Sequence, residues 1–292
     1  MRIGTRASAL ALAQTRSVAE RLGAESELVT ITTAGDRAER FGDKARWVSE
    51  LELALLDGRI DLAVHAAKDV PAELADGLAL VAIPPREDPR DAICGAESIA
   101  ALPPGARVGT SSLRRRAQLL AAREDLVVVP VRGNVDTRLR KLADGEVDAL
   151  VLALAGLRRL GREDAADGVL DELVPAAGQG ALALEAQAEL ASDARLAALD
   201  DRDTSACVLA ERELTRALGA SCQTAVGAHA TILGESRIEL RGWVGLPDGS
   251  AWVSDRRIGC GPEVGLEVAR AMLAAGAGEL LAQPAPAAAA DR

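Results

Sequence analysis

Two stretches of this chain repeat one another, and the repeat limits the folds open to it. "DGRIDLAV" (Asp57–Val64) matches "DGEVDALV" (Asp144–Val151) at Asp, Gly, an Ile or Val, Asp and Val. Each follows a Leu-rich helical segment and enters an apolar strand. "IGT" at Ile3–Thr5 resembles "VGT" at Val108–Thr110 in the same way, each opening a unit as strand then helix. Such self-similarity predicts two lobes of one α/β design.

The rest of the pattern fills in those lobes. The first spans 1–84 and takes back 181–200, with strands at 2–5, 27–32 and 61–65 and helices at 9–22 and 47–56. "IPPREDPRDA" (Ile83–Ala92) is Pro-rich and charged, and reads as a crossover. The second lobe, 88–176, has strands near 107–109, 126–131 and 149–154, with helices after Ser112 and near 135–142. "LVPAAGQGALALE" (Leu173–Glu185) reads as the return crossover. Two crossovers between two lobes make a hinged cleft. From about Asp201 the pattern changes. A helix over 204–218 precedes alternating strands at 225–233, 237–245 and 251–259, the last two joined by the turn signal "LPDGS". With a helix near 263–281, residues 201–281 form a small α+β domain carrying a three-stranded antiparallel sheet. The tail, 282–292, is low-complexity and expected to be disordered.

Composition excludes several functions. The chain has no Tyr, one Phe and three Trp in 292 residues, so its core must be aliphatic. No apolar run is long enough to span a bilayer. Arg16 interrupts the apolar N-terminal stretch, which therefore does not read as a signal peptide. A cytoplasmic protein with reduced thiols is expected. Cys94, Cys207, Cys222 and Cys260 are far apart and show no metal-ligand spacing. Two histidines, His65 and His229, argue against a Ser-His triad or a His-rich metal site. The net charge of −10 argues against general nucleic-acid binding, and the scarcity of aromatics removes stacking platforms for single strands.

Against that acidic background, "VGTSSLRRRAQL" (Val108–Leu119) places three arginines in the first turn of a helix, where the dipole disfavours cations. Ser111 or Ser112 is the expected N-cap. Other strand ends repeat the theme. Arg6 and Ser8 follow the first strand. Thr110 precedes Arg114 and Arg115. Arg132 and Arg138 follow "LVVVPV", Arg158 and Arg159 follow "DALVLAL", and Lys68 and Asp69 follow "DLAVH". Ligands of open α/β sheets bind at such carboxyl ends. One arginine alone would be a solvated surface residue; five basic strand ends predict a cleft for a polyanion. Arginine pairs carboxylates and phosphates through two parallel bonds. There is no Gly-rich Walker loop, so carboxylates fit at least as well as phosphates. Asp69, an acid in a basic cleft, either caps a turn and pairs with Lys68 or exchanges protons and stabilises a cation. Cys222, in "ALGASCQTAVG", is either a buried inert thiol or a reactive one on an accessible loop.

The motifs "IGTRASALALAQ", "GRIDLAVHAAKDVP", "REDPRDA", "VGTSSLRRRAQL", "VRGNVDTRL", "LALAGLRRLG", "PAAGQGALALE" and "ASCQTAVG", in that order, cover nearly the whole chain. Together they resemble the porphobilinogen deaminase (hydroxymethylbilane synthase) family of tetrapyrrole biosynthesis. The resemblance implies two hinged lobes like those of periplasmic binding proteins and a third domain bearing a cysteine on a loop. It implies a thioether from Cys222 to a dipyrromethane cofactor built from two substrate units. Four porphobilinogen molecules would then add stepwise, each losing ammonia, before hydrolysis frees the linear tetrapyrrole. Each pyrrole carries an acetate and a propionate, which gives the arginines their partner. By motif position, Lys68, Thr110, Ser111, Ser112, Arg114, Arg115 and Arg138 would hold the cofactor. Arg6, Ser8, Gln14, Arg132 and Arg159 would hold the substrate and growing chain. Asp69 matches the catalytic aspartate, stabilising the azafulvene cation left by ammonia and relaying protons. The resemblance implies a monomer that needs no metal, membrane or nucleic acid.

The sequence also departs from the family pattern. The mobile loop usually reads Lys-x-Gly-Gly-x-Gly; here it is "RFGDKA", with Arg40, Gly42 and Lys44 as its basic and flexible members. Ala66 stands where a Ser is common. Ala220 and Ser221 precede the cysteine where glycines are usual, and Ala225 replaces a Pro. Two rival readings share the arginine cleft: a non-catalytic two-lobe binder of small anions, and a regulator sensing one. The first leaves Asp69 and the third domain idle; against the second, the chain shows no helix-turn-helix segment and is acidic.

Overall fold

The computed structural model describes residues 1–23, 25–32, 45–220, 224–234 and 236–283. In the first lobe, β1 (Arg2–Thr5), α1 (Ala9–Leu22), β2 (Glu27–Thr30), α2 (Ala45–Leu56), β3 (Leu62–Ala66) and β4 (Leu78–Ala82) follow in order. The first crossover then delivers β5 (Asp91–Cys94) to the second lobe. There it is followed by β6 (Arg107–Gly109), α3 (Leu113–Ala122), β7 (Val127–Val129), α4 (Val135–Ala143), β8 (Ala149–Ala153), α5 (Leu154–Arg159) and β9 (Gly168–Leu170). The return crossover leads to β10 (Leu182–Gln187) and the short helix α6 (Ala194–Ala197).

The two sheets have the same plan. One orders its strands β2-β1-β3-β10-β4, the other β7-β6-β8-β5-β9. In each, the first three are parallel and the fourth runs antiparallel between two neighbours. Each antiparallel strand is the one that arrives directly from a crossover. β10 therefore completes the first sheet as β5 completes the second, and neither lobe closes without chain that has crossed between them. β3, β5 and β8 are buried almost end to end, as expected for strands covered on both faces. Their Leu, Ile, Val and Ala side chains make the aliphatic core that the composition requires.

The third unit contains α7 (Arg202–Ala217), the antiparallel sheet β11 (Val226–Ile232), β12 (Arg237–Gly245) and β13 (Trp252–Cys260), then α8 (Glu263–Ala274) and α9 (Ala277–Leu281). Leu214, Leu240, Val268 and Met272 pack between helices and sheet. The single helix expected over 263–281 is two. Gly276, at φ +98°, adopts a left-handed turn that an α-helix cannot pass through. β4, β5, β9 and β10 also appear where the sequence pattern showed no strand, β10 starting within the stretch read as return crossover. The expected loop at Arg40, Gly42 and Lys44, the Cys222 position and residues 284–292 of the tail lie outside the described residues. Among the described residues, no helix is long and apolar enough to cross a membrane.

Candidate active site

Both lobes turn the carboxyl ends of their parallel strands toward shared cavities. After β1, Ser8 caps α1, its Oγ accepting the Ala11 N–H at 3.3 Å. After β3 the chain tightens into a 3₁₀ turn, Ala67–Asp69. After β6, Ser112 caps α3 by accepting the Arg115 N–H at 3.4 Å. After β8 the chain enters α5 directly, with Arg159 in its last turn.

Two cavities result. The first is lined by Arg6, Ser8, Gln14, Lys68, Asp69 and Arg159, with apolar walls from both lobes. The second is lined by Lys68, Ser111, Ser112, Arg114 and, from α7, Arg212. Lys68 belongs to both walls. Ala220 and Thr224, which bracket Cys222 in sequence, line the second cavity. Burial and the nearby Arg115 lower the Lys68 ammonium to about 8, against the opposing pull of Asp69 and Asp91. Among the described residues, nothing donates a hydrogen bond to the half-buried Asp69 carboxylate, and Asp69 lines the first cavity.

The three consecutive arginines divide their work. Arg114 Nη2 donates to Asp91 Oδ2 at 2.9 Å, while Arg115 donates to Oδ1 through Nε at 3.1 Å and Nη2 at 2.8 Å. Arg114 and Arg115 also donate to the carbonyls of Val174 and Val151. Burial alone would push the Asp91 carboxyl up. The two guanidiniums and the hydrogen bonds from Arg115 and Gln179 outweigh it and hold the group well below the usual carboxylate range. Two cations share one carboxylate, so the cluster keeps a positive charge. Arg114 Nε is buried without a hydrogen-bond partner among the described residues. Arg116 points elsewhere, donating to the Val128 and Pro247 carbonyls and tying α3 to the third unit.

Not every expected residue reaches these walls. Thr110 is buried, with its Oγ1 accepting the Ser112 N–H, and Arg115 lies behind Arg114 against Asp91. Arg132 is exposed, and Arg138 Nε donates to the Gly133 carbonyl; neither lines either of these two cavities. Arg158 pairs with Glu87 at 2.7 Å. Conversely, sequence reasoning assigned no role to Asp91, Gln179, the Arg86–Glu211 pair or His65–Glu185, whose Nε2···Oε2 distance is 2.9 Å. Asp91 lies in "REDPRDA", but no local spacing announces partners 23 and 24 residues onward. Among the described residues there is no group of three or more His, Cys, Asp or Glu placed to hold a metal.

The family model "Porphobilinogen deaminase, dipyromethane cofactor binding domain" matches residues 1–193, and its C-terminal-domain companion matches 205–274. The chain belongs to the porphobilinogen deaminase family. Curated relatives agree over nearly their whole length. The porphobilinogen deaminase of Chromobacterium violaceum is 47% identical, covering 96% of this chain and 96% of its own. That of Brevibacillus brevis is 44% identical over 97% of this chain and 96% of its own, and that of Deinococcus deserti 46% over 96% and 97%. Among solved structures, protein PG110 from Staphylococcus aureus is 14% identical, with a TM-score of 0.42 over 73% of this chain and 91% of its own. The donor set suits a porphobilinogen deaminase cofactor. Its carboxylates would meet a wall where cations outnumber acids and where the buried Arg114 Nε–H has no partner among the described residues.

Proposed function

We propose that this chain is a transferase that joins four porphobilinogen units through carbon–carbon bonds, with loss of ammonia, and releases hydroxymethylbilane. The observation that carries the reading is the meeting of Arg6, Ser8, Gln14, Lys68, Asp69 and Arg159 on one cavity between the lobes. In this reading Arg6, Ser8, Gln14 and Arg159 bind the acetate and propionate of the incoming pyrrole, and Arg132 meets the chain as it lengthens. Lys68, Thr110, Ser111, Ser112, Arg114, Arg115 and Arg138 hold the carboxylates of the dipyrromethane, and Cys222 holds it by a thioether. Each buried charge-assisted bond contributes about 1.5–3 kcal/mol.

When bound, the dipyrromethane supplies the nucleophilic pyrrole carbon. The protein therefore needs no side-chain nucleophile of its own. Asp69 accepts pyrrole N–H groups at its carboxylate oxygens. It stabilises the positive charge that develops as ammonia leaves, and takes up the proton released at the attacking carbon. Burial pushes the Cys94 thiol up to about 12 and the Cys207 thiol up to about 11, which leaves neither as a thiolate at neutral pH; Cys260 is exposed on β13, and it is the family motif "ASCQTAVG" that points to Cys222 as the anchor. The reading divides the chain into 1–84 with 181–200, 88–176 and 201–281, working as a cytoplasmic monomer.

Intact mass of the purified protein beside Cys222→Ser tests it. The expected result is an excess of two porphobilinogen units minus two ammonia, absent from the variant. Excess mass retained by the variant would move the anchor. No excess mass, even after incubation with porphobilinogen, would overturn the reading.

A further inference from the structure

Gln179 is polar and 1% exposed, on the return crossover between Gly178 and Gly180. Both glycines have positive φ, +73° and +88°. A Cβ on Gly178 would lie 2.9 Å from the Ala67 carbonyl carbon, and one on Gly180 only 2.2 Å from the Glu87 carbonyl oxygen. The turn is wedged between the 3₁₀ turn that carries Lys68 and Asp69 and the first crossover. No side chain other than glycine's fits on either side of Gln179.

Its amide reaches both lobes. Oε1 accepts from Lys68 Nζ at 3.3 Å. Nε2 donates to the Pro89 carbonyl and to Asp91 Oδ1, each at 2.7 Å. An ammonium can only donate, and a carbonyl and a carboxylate can only accept, so the partners fix which end of the amide faces which lobe. Asp91 is the carboxylate that holds Arg114 and Arg115. The Gln179 main-chain carbonyl accepts from Arg86 Nε at 2.8 Å, and Arg86 in turn pairs with Glu211 of α7.

We propose that Gln179 is a positioning residue that holds the Lys68 ammonium at a set spacing from the Asp91–Arg114–Arg115 cluster, so that cations on two hinged lobes present one wall to a carboxylate-bearing cofactor. The proposal rests on the deaminase reading. Two lobes joined by two crossovers can shift against each other. A polycarboxylate held by both needs their cations at matched separation. Lys68 is bonded across the junction, and Asp69 is its neighbour in the same turn. The strut therefore also sets where the reacting pyrrole meets Asp69, and misplacement by an ångström costs about 10²-fold in rate.

The test compares the wild-type enzyme with Gln179→Met, which keeps length and volume, and Gln179→Glu, which is near-isosteric but sets a carboxylate against Asp91 and the Pro89 carbonyl. Four quantities are read: the fraction carrying the two-pyrrole mass, the melting temperature, kcat with KM, and the Lys68 ¹³Cε titration at equal loading. The groups facing Lys68 are Asp69 on its own turn, Arg114 and Arg115 on α3, and Asp91 on β5. Both variants should fold and show lower loading. In the loaded fraction kcat should fall about 10- to 100-fold while KM holds within about threefold. The Lys68 midpoint should move down in Gln179→Met and up in Gln179→Glu. Unchanged loading, kcat and Lys68 midpoint would overturn the proposal, as would a loss that follows melting temperature alone. If the wild type carries no adduct and turns over nothing, the deaminase reading fails, and the proposal about the cofactor wall fails with it. Active, loaded wild type with indifferent variants removes the strut and leaves the reading standing.

Discussion

Asp69 and Asp91 are both acids set among cationic side chains, and their surroundings give them opposite tasks. Asp69 lines the first cavity and takes no hydrogen bond from a described residue. Asp91 is fully buried and its oxygens accept from Arg114, Arg115 and Gln179. Asp69→Asn should therefore fold and melt like the wild type yet lose roughly 10²–10⁴ in turnover, the usual worth of an acid–base group; near-normal kcat in a steady-state assay would refute its role. Asp91→Asn should do the reverse first. It leaves two guanidiniums buried without a carboxylate, at a cost of about 3–5 kcal/mol. Because the folded pKa of Asp91 is depressed, its stabilisation is complete above the ordinary carboxylate value of about 4 and is lost as pH falls below it. Urea denaturation should separate the two proteins widely at pH 7 and bring their curves together in acid. A gap that stays constant with pH would assign the stability to something other than the charge of Asp91.

At the scale of elements, α7 does more than cover the small sheet. Its Glu211 accepts from Arg86 Nη1 at 2.7 Å and Nη2 at 3.1 Å, and from the N–H groups of Gly178 at 2.6 Å and Ala230 at 2.7 Å. One carboxylate thus gathers the first crossover, the return crossover and β11. Glu211→Gln should lower the urea midpoint and the fraction of protein carrying the cofactor mass together, since the helix that leads toward Cys222 loses its hold on the crossovers. Full loading in a destabilised variant would show that the crossovers need no tether to α7. Such a tether could not be read from the sequence. What was legible was local. Apolar spacing gave β1, α1, α3 and the course of α7 to within two residues, and Ser112 was a recognisable cap because its bond reaches only three residues along. Position after a predicted strand picked out Arg6, Lys68, Asp69, Arg114 and Arg159, which line the two cavities. β5 was hidden because "DAIC" is four buried residues with no alternation, paired to strands more than fifty residues away. Arg86–Glu211 spans 125 residues and Gln179–Asp91 spans 88, and polar pairs at such separations leave no periodic trace. The arginines of "LRRRAQL" were legible as anion seekers; that two of them already share Asp91 was not.

The whole molecule sets a cationic cleft inside a chain of net charge −10. Each lobe is completed by a strand that has crossed from the other, so the two crossovers are tied into both cores. Movement is left to the segments that join the strands, where hydrogen bonds of Gln179, Arg86 and Lys68 bridge the gap. In the proposed enzyme a bound polycarboxylate adds bonds between Lys68 of the first lobe and Ser112 and Arg114 of the second. It should therefore quiet the junction more than the sheets. Hydrogen exchange measured on wild type and on cofactor-free Cys222→Ser should show added protection in the loaded protein at 66–70, 110–115 and 176–180. β1 and β8, whose amides are already buried within their sheets, should exchange alike in both. Equal exchange at the junction would mean that the crossovers alone fix the spacing of the lobes, and that the cofactor occupies a wall already rigid before it arrives.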